Sequence, residues 1–322
     1  MEKLKSLSND SKVAIIMHDT PDPDAIGSAL GMSYLLKTKF NLKSNIFHGG
    51  EISHPENKAL MNVLGLNFHL LDTSFNTDNY GYIISVDCTP NNIILDAKDV
   101  DMVIDHHQVK VNSDDYDLVS NDGIGAACSL VYELLKQHQI KIEEEDCDVA
   151  TALLFGIIRD TNHLLSDRTT KRDFDAYKEL SEIANKKSIN EIQEYPIPGY
   201  IFQLESTATQ EGNYIEKDAT FASFIGHISS TKRDALPILA DKYMRKEGIV
   251  TAVVAAVVND QIEASVRSSN VSVVVDSFVK DLFGEQYAGG KRGAGAAKAP
   301  LGFLGLSEIE DKEIETEMID II

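Results

Sequence analysis

"MHDTPDPDAIGSALG", Met17–Gly31, sets His18 and three aspartates, Asp19, Asp22 and Asp24, around two prolines, between an apolar run and a helix-like run. Like charges this close repel one another and are costly to desolvate. The stretch reads either as an acidic turn capping a helix or as one side of a site that holds something positive. Its flanks decide the fold. "KVAIIM" (Lys12–Met17) is short, apolar and β-branched, a buried strand. "AIGSALGMSYLLKTKF" is a helix, with Ile26, Leu30 and Tyr34 at four-residue spacing and Leu35 on the adjoining face.

The same alternation continues downstream. "KSNIFHGG", "YGYIISVD" and "DMVIDHH" read as strands, the last two ending in Asp87 and in Asp105, His106 and His107. Helices are expected over Asn57–Leu64, Ala126–His138 and Asp146–Ile158. Strands alternating with helices predict a doubly wound parallel α/β sheet with helices on both faces. Ligands of such sheets bind at the carboxyl ends of the strands. The Asp- and His-rich clusters fall there three times, after Met17, at Val86–Asp87 and at Ile104–His107. Asp160 follows the apolar helical run "VATALLFGII".

A helix through "KRDFDAYKELSEIANKK" closes this first domain, 1–187. "SINEIQEYPIPGYIF" opens a linker, 188–213. The pattern restarts in a smaller α/β domain, 214–322. There "ATFASFIGHI", "IVTAVVAAVV" and "QIEASVRSS" read as strands. "SSTKRDALPILADKYMRKEG" and "VSVVVDSFVKDLFG" read as helices. Asn259–Asp260 is a tight-turn candidate between two of the strands. "GEQYAGGKRGAGAAKAPLGF" reads as a glycine-dense loop, and "SEIEDKEIETEMIDII" as an acidic helix or tail.

Composition narrows the function. The chain has 322 residues, a formal net charge of −21 and three cysteines, Cys88, Cys128 and Cys147, without CxxC spacing. Such acidity argues against gripping long duplex nucleic acid, which needs a basic stripe. The cysteines read as ordinary thiols in a reducing compartment. No apolar run approaches the roughly 20 residues of a membrane span. The N-terminal residues lack a signal-peptide apolar region. A cytoplasmic protein with no membrane partner is the expectation.

His18, Asp22 and Asp24 form H-x-x-x-D-x-D, in which alternating aspartates on a tight turn can aim at two adjacent cations. His18 and Asp22 would hold one, Asp24 the next. Asp87 would bridge them, with His106 and Asp160 completing the second. Oxygen ligands with few imidazoles suit Mn²⁺ or Mg²⁺ better than structural zinc. Two metals roughly 3.5–4 Å apart clamp a phosphate and lower the pKa of a water between them. Taken singly, Asp22 or Asp24 reads as a helix N-cap, His106 as a hydrogen-bonded core or surface histidine, and Asp160 as a helix-end residue. Taken together, at successive strand ends, they read as one metal site.

"HDTPDPDAIGS", "VD" at Val86–Asp87, "DHH" at Asp105–His107 and "GIIRDT" at Gly156–Thr161 resemble, in order, the four motifs of the DHH phosphoesterase superfamily. The second half resembles its DHHA1 domain. Relatives of this kind include oligoribonucleases of very short RNA, phosphatases of adenosine bisphosphate and cyclic-dinucleotide phosphodiesterases. The resemblance implies two Mn²⁺ ions, with Mg²⁺ or Co²⁺ as substitutes. His18, Asp22 and Asp87 would hold one, and Asp24, Asp87, His106 and Asp160 the other. His107 would face the scissile phosphate, with Asp105 behind it orienting a histidine. An active-site cleft between the two domains is implied, and a homodimer is left open.

Arg267 in "SVRSS" stands where similar proteins bind a phosphate or terminal nucleotide; as an isolated residue it reads as a surface salt bridge. The loop "GGKRGAGAA" departs from the DHHA1 signature, close to G-G-H-x-x-A-A-G, with Lys291 at the histidine position. Gly289, Gly290, Lys291 and Arg292 are candidates for holding an anion through backbone N–H groups and charge. The fourth motif also departs, since the usual D-T-G is Asp160, Thr161, Asn162. The resulting expectation is a Mn²⁺-dependent phosphoesterase of short oligonucleotides or small nucleotides. Pyrophosphate or polyphosphate hydrolysis and a non-catalytic nucleotide sensor are the alternatives.

Overall fold

The computed structural model describes residues 2–304 apart from 9, 51, 90–94, 108–115, 121–122 and 271. The acidic stretch expected to form a C-terminal helix or tail lies outside the described residues. The chain divides into two compact units, Met1–Pro196 and Ile197–Ile322.

In the first unit a short helix, α1 (Glu2–Lys5), precedes β1 (Lys12–Met17), α2 (Pro23–Phe40), β2 (Lys43–His48), α3 (Pro55–Val63) and β3 (His69–Leu70). Then follow β4 (Tyr82–Val86), β5 (Met102–Asp105), β6 (Asp117–Ser120), α4 (Ala127–Gln137), α5 (Cys147–Asp160), α6 (Lys171–Ile183) and α7 (Lys186–Gln193). The six strands form one sheet in the order β3-β2-β1-β4-β5-β6, every recorded pair parallel. From β1 the chain winds outward through β2 and β3, then returns to lay β4 on the other side of β1. That reversal is the switch point at which doubly wound sheets bind ligands.

β1 is buried on both faces, which is why it reads as an unbroken apolar run. Val13, Ile15 and Met17 join the core beneath α2, α4 and α5. Ala14 and Ile16 face the other way, into a cluster with Phe47, Ile83, Val103 and Tyr116. That second face packs partly under an aromatic group in which Phe75 and Tyr80 stack and Phe47 meets both edge-on. α2 starts because Asp22 caps it and Pro23 presets its first turn. It stops at Asn41, whose left-handed backbone (φ 53°) sends its N–H to Leu36 and Lys37 carbonyls.

Residues 171–187, expected as one helix, are split. The chain extends at Ala184, and the Asn185 side chain accepts from the Lys187 and Ser188 N–H groups to start α7. The stretch expected as a linker carries most of α7 and then α8 (Gly199–Ala208), so its irregular parts shrink to the proline-bearing 194–198 and the turns of 209–213. The cause is an amphipathic pattern, with Ile189, Ile192, Ile201 and Ala208 buried.

The second unit continues with β7 (Tyr214–Lys217), β8 (Thr220–Ile228), α9 (Ala235–Tyr243), β9 (Thr251–Val258), β10 (Gln261–Ser268), α10 (Val275–Phe283), β11 (Ala288–Lys291) and β12 (Ala294–Pro300). Its sheet runs β11-β12-β10-β9-β8-β7, antiparallel except for β8 with β9. Asn259 and Asp260 both have positive φ (47° and 59°), the backbone a two-residue hairpin turn requires. α9 is shorter than the 229–248 expected, and Pro237 sits in its first turn, where a proline costs no hydrogen bond. The glycine-dense stretch is not a loop. It is the β11–β12 hairpin, with Lys291 opposite Ala294 across a two-residue turn. Gly295 lies so close under Val275 and Val279 of α10 that a Cβ there would meet their methyls at 2.9–3.2 Å. Close backbone packing replaces the apolar alternation that normally announces a strand.

Among the described residues no helix is long and apolar enough to cross a membrane. Cys88 and Cys128 are buried, Cys147 is half-buried, and all three are free thiols.

Candidate metal centre

The carboxyl ends of β1, β4 and β5 deliver His18, Asp87 and the Asp105–His107 run to one place. The start of α2 adds Asp22 and Asp24, and the last residue of α5 adds Asp160. Asp87 reaches it by a left-handed backbone (φ 55°), one of the few side chains that take this region at modest cost. Its own N–H donates to the Ile104 carbonyl at 2.8 Å, so the turn is tied to the neighbouring strand.

Besides Asp87 with His106 and His107, two sets of ligand atoms gather, His18 with Asp22 and Asp87, and Asp24 with His106 and Asp160, the atoms of each set lying within 4.8 Å of one another. Asp87 stands between them. Its Oδ2 lies 3.9 Å from His18 Nε2 and its Oδ1 lies 3.5 Å from His106 Nε2. Asp24 and Asp160 oxygens lie 3.8 and 3.2 Å from the same His106 nitrogen.

The tautomer of His106 follows from its other nitrogen. Nδ1 lies 3.3 Å from the Ile124 carbonyl, which can only accept, so Nδ1 carries the hydrogen. Nε2 is then a lone pair facing carboxylate oxygens. Neither it nor Asp87 Oδ1 has a hydrogen-bond partner, and both are buried. Acceptors packed against acceptors are satisfied by a cation, and hard oxygens with an occasional imidazole suit a divalent one. These residues fit a pair of metal ions.

The electrostatics agree. Burial, reinforced by Asp160 and Asp22, pushes the Asp24 carboxyl up to about 8. Burial, with Asp24 next, pushes Asp87 well above the carboxylate range. Burial lowers both His18 and His106, which keeps their lone pairs available. The cluster cannot carry its full negative charge without protons or metal to offset it. His107 shifts the other way, upward, because Nδ1 donates to Asp105 Oδ1 at 2.8 Å. Asp105 also accepts from the His107 backbone N–H.

The first motif's aspartates also cap helices. Asp22 Oδ1 accepts from the Asp24 and Ala25 N–H groups, as an N-cap does. Asp24 is buried and accepts from the first two amides of α4, Ala127 N at 2.6 Å and Cys128 N at 2.9 Å. The departure in the fourth motif has a backbone reason. Asn162 (φ 49°) is left-handed, a conformation glycine takes freely and asparagine tolerates. His163 is exposed.

Some neighbours carried no signal in the sequence. Arg168, inside the polar stretch after α5, brings Nη2 to 3.8 Å from Asp160 Oδ2. Arg159 pairs with buried Glu56 at 2.7 Å, and Asn57 donates to the Pro21 carbonyl, tying α3 to α5 and to the first motif. Asp173 could have been noticed as part of a T-x-x-D helix start, though that pattern predicts only a cap.

In the second unit Arg267 sits on β10 with Glu263 and Ser265 on its face, and register places Ala294, Ala296 and Lys298 of β12 opposite them. Gly289 and Lys291 of β11 pair with Ala296 and Ala294. Gly290 pairs with Gly295, and Arg292 is in the turn. Arg267 donates Nε to Asp241 at 2.6 Å and Nη1 to Ser265, so the ion pair expected of it in isolation is present. Arg233 is bound bidentately by Glu263, and Lys298 lies 3.9 Å from the same carboxylate.

The model of the DHH family N-terminal domain matches residues 12–157. An uncharacterised protein of Methanocaldococcus jannaschii is 30% identical over 321 residues, 99% of this chain and 64% of that protein's length. A probable manganese-dependent inorganic pyrophosphatase of Streptococcus equi subsp. zooepidemicus is 27% identical over 248 residues, 76% of this chain and 77% of that one. The crystal structure of an exopolyphosphatase-related protein from Bacteroides fragilis shares the fold, with a TM-score of 0.75 at 15% identity over 99% of this chain and 94% of the other. Its four motifs, drawn together on a sheet of this order, resemble those of the DHH phosphoesterase superfamily, whose N-terminal domain is the one that residues 12–157 match.

Proposed function

We propose that the chain is a phosphoric ester hydrolase that uses two divalent cations, manganese foremost, on short oligonucleotides or small nucleotides. His18, Asp22 and Asp87 would hold one ion, and Asp24, Asp87, His106 and Asp160 the other. The observation that carries this reading is the division of Asp87, one oxygen toward His18 and the other toward the unprotonated nitrogen of His106. Bound ions of this kind neutralise phosphate oxygens and make water acidic enough to attack phosphorus at neutral pH.

The chain's own groups do the rest. Asp105 holds His107 by Nδ1 and favours its protonated form, so His107 can donate to a phosphate oxygen or to the departing alcohol. In the second unit Arg267, Gly289, Gly290, Lys291 and Arg292 are the proposed substrate contacts, the guanidinium suited to a phosphate or terminal nucleotide.

Pyrophosphate hydrolysis is the second reading, favoured by the names of relatives such as the Streptococcus equi protein. Against it stands the charge on β10 and β12. A polyanion site needs uncompensated cations, whereas Arg267 is paired with Asp241, and Arg233 and Lys298 share Glu263.

The test is a panel of di- to pentanucleotide RNA, adenosine bisphosphate, linear and cyclic dinucleotides and pyrophosphate, under identical Mn²⁺ conditions. Release from the nucleotides, abolished by chelation and by Asp87→Ala, is the expected result. Release from pyrophosphate alone supports the second reading. Tight nucleotide binding with no release makes the protein a sensor.

A further inference from the structure

We propose that Asp173, the third residue of α6, positions the ligands His106 and Asp24 through the segment 124–129. Asp173 is fully buried, and both of its oxygens are engaged. Oδ2 accepts from Gly125 N at 2.9 Å and from Thr170 N and Oγ1 at 2.8 Å each, and Oδ1 accepts from Ser129 Oγ at 2.7 Å. One carboxylate therefore fastens both Gly125, two residues ahead of α4, and the first turn of α4 to the start of α6.

The fastened segment is the one that orients the candidate ligands. The Ile124 carbonyl fixes the ring of His106 through Nδ1. Three and four residues on, Ala127 N and Cys128 N grip both oxygens of Asp24. Asp24 thereby does for α4 what the N-cap residue, Ala126, has no side chain to do. Gly125 permits the close approach: a Cβ there would lie 3.0 Å from Asp173 Oδ2 and 2.8 Å from Thr161 Cγ2, and Thr161 follows Asp160. Asp173 touches none of the ligands itself. It acts on them through backbone that it holds.

A helix cap alone would explain the Thr170 contacts. It does not explain Gly125 and Ser129, which belong to a different part of the chain. The two roles therefore separate by variant. Asp173→Ala removes both. Asp173→Asn keeps an acceptor for Gly125 and a partner for Ser129. Ser129→Ala loosens only the α4 side, and Thr170→Ala only the cap.

The inference rests on the two-ion reading of the site, and the experiment separates them. Mn²⁺ is titrated into the full chain while the electron paramagnetic resonance signal of free Mn²⁺ is followed, with melting temperature measured alongside. Wild type taking up no Mn²⁺ refutes the two-ion reading itself, and this proposal with it. With two ions bound by wild type, Asp173→Ala should weaken one of them about 10- to 100-fold, as loss of groups behind metal ligands commonly does. Asp173→Asn should restore most of that affinity. Thr170→Ala should melt earlier with both affinities intact. Asp173→Ala binding both ions as wild type does, or Thr170→Ala weakening them equally, overturns the positioning role and leaves the metal reading standing. If Asp173→Ala does not fold, the Ser129→Ala and Thr170→Ala pair decides: weakening by the first alone supports the proposal, and weakening by the second alone overturns it.

Discussion

His107 donates its Nδ1 hydrogen to Asp105 Oδ1 across 2.8 Å, while its half-exposed ring leaves the other nitrogen for a second partner. Asp105 closes β5 and is buried, so it is a fixed anchor for a ring at the site's edge. Asp105→Asn should keep the fold and two Mn²⁺ per chain, yet lower kcat about 10- to 100-fold by loosening the histidine and weakening its protonated form. Steady-state kinetics with a parallel Mn²⁺ titration checks this. Unchanged kcat would show that the pair is structural.

The raised carboxyls make metal-free stability fall with pH. Asp24, at about 8 in the fold, holds a proton that the unfolded chain has already lost near 4, and Asp87 shifts the same way. Between those values the folded state binds more protons, so stability declines as pH rises. The chelated protein should melt progressively lower from pH 6.5 to pH 8; below that range the lowered His18 and His106, which the unfolded chain protonates first, oppose the trend. Saturating Mn²⁺ should flatten that trend, because the ions displace the protons. Melting curves in chelator and in Mn²⁺ at several pH values are the measurement.

The parts of this architecture legible in the sequence are those with a local signature. β1, β4 and β5 are apolar runs that end abruptly in Asp or His, so much of the candidate site could be read from strand ends, whereas Asp160 closes a helix. β3, with two exposed residues, and β7, exposed throughout, lack such a signature, and β12 hides a strand in alanines and glycines. The grip of α4 amides on Asp24 spans more than a hundred residues and leaves no trace in either stretch. Backbone donors are the same at every position, so a contact they make is invisible until the chain folds. Asp22, read alone as a cap, does cap α2, and the fold also brings it within reach of His18 and Asp87.

Gly27 and Gly156 test how tightly α2 and α5 cross beneath the site. A Cβ at Gly156 would sit 2.5 Å from Cys128 Sγ and 2.9 Å from the Pro23 carbonyl, and one at Gly27 would sit 2.6 Å from the Ala152 carbonyl. Helix propensity alone favours alanine over glycine by up to about 1 kcal/mol. Overpacking against backbone costs about 1–3 kcal/mol. The clash should win at both positions, and each alanine variant should unfold at lower urea concentration than wild type. A stabilised variant would mean that the helices can part without penalty.

Gly289 and Gly290 are adjacent in β11 but differ in why they are glycine. At Gly290 a Cβ would lie 2.4 Å from the Ala294 carbonyl and 2.6 Å from Gly295 Cα, so the hairpin itself forbids a side chain. At Gly289 nothing lies within 4 Å, and the fold makes no such demand. Gly290→Ala should destabilise the protein by about 1–3 kcal/mol. Gly289→Ala should leave the melting temperature unchanged or slightly raised, since glycine weakens a strand. If a phosphate or base rests on the bare backbone at 289, the same substitution should raise KM several-fold with little change in kcat. Melting curves and kinetics on the preferred substrate separate the two glycines. A Gly289→Ala enzyme with wild-type KM would remove that position from the substrate surface.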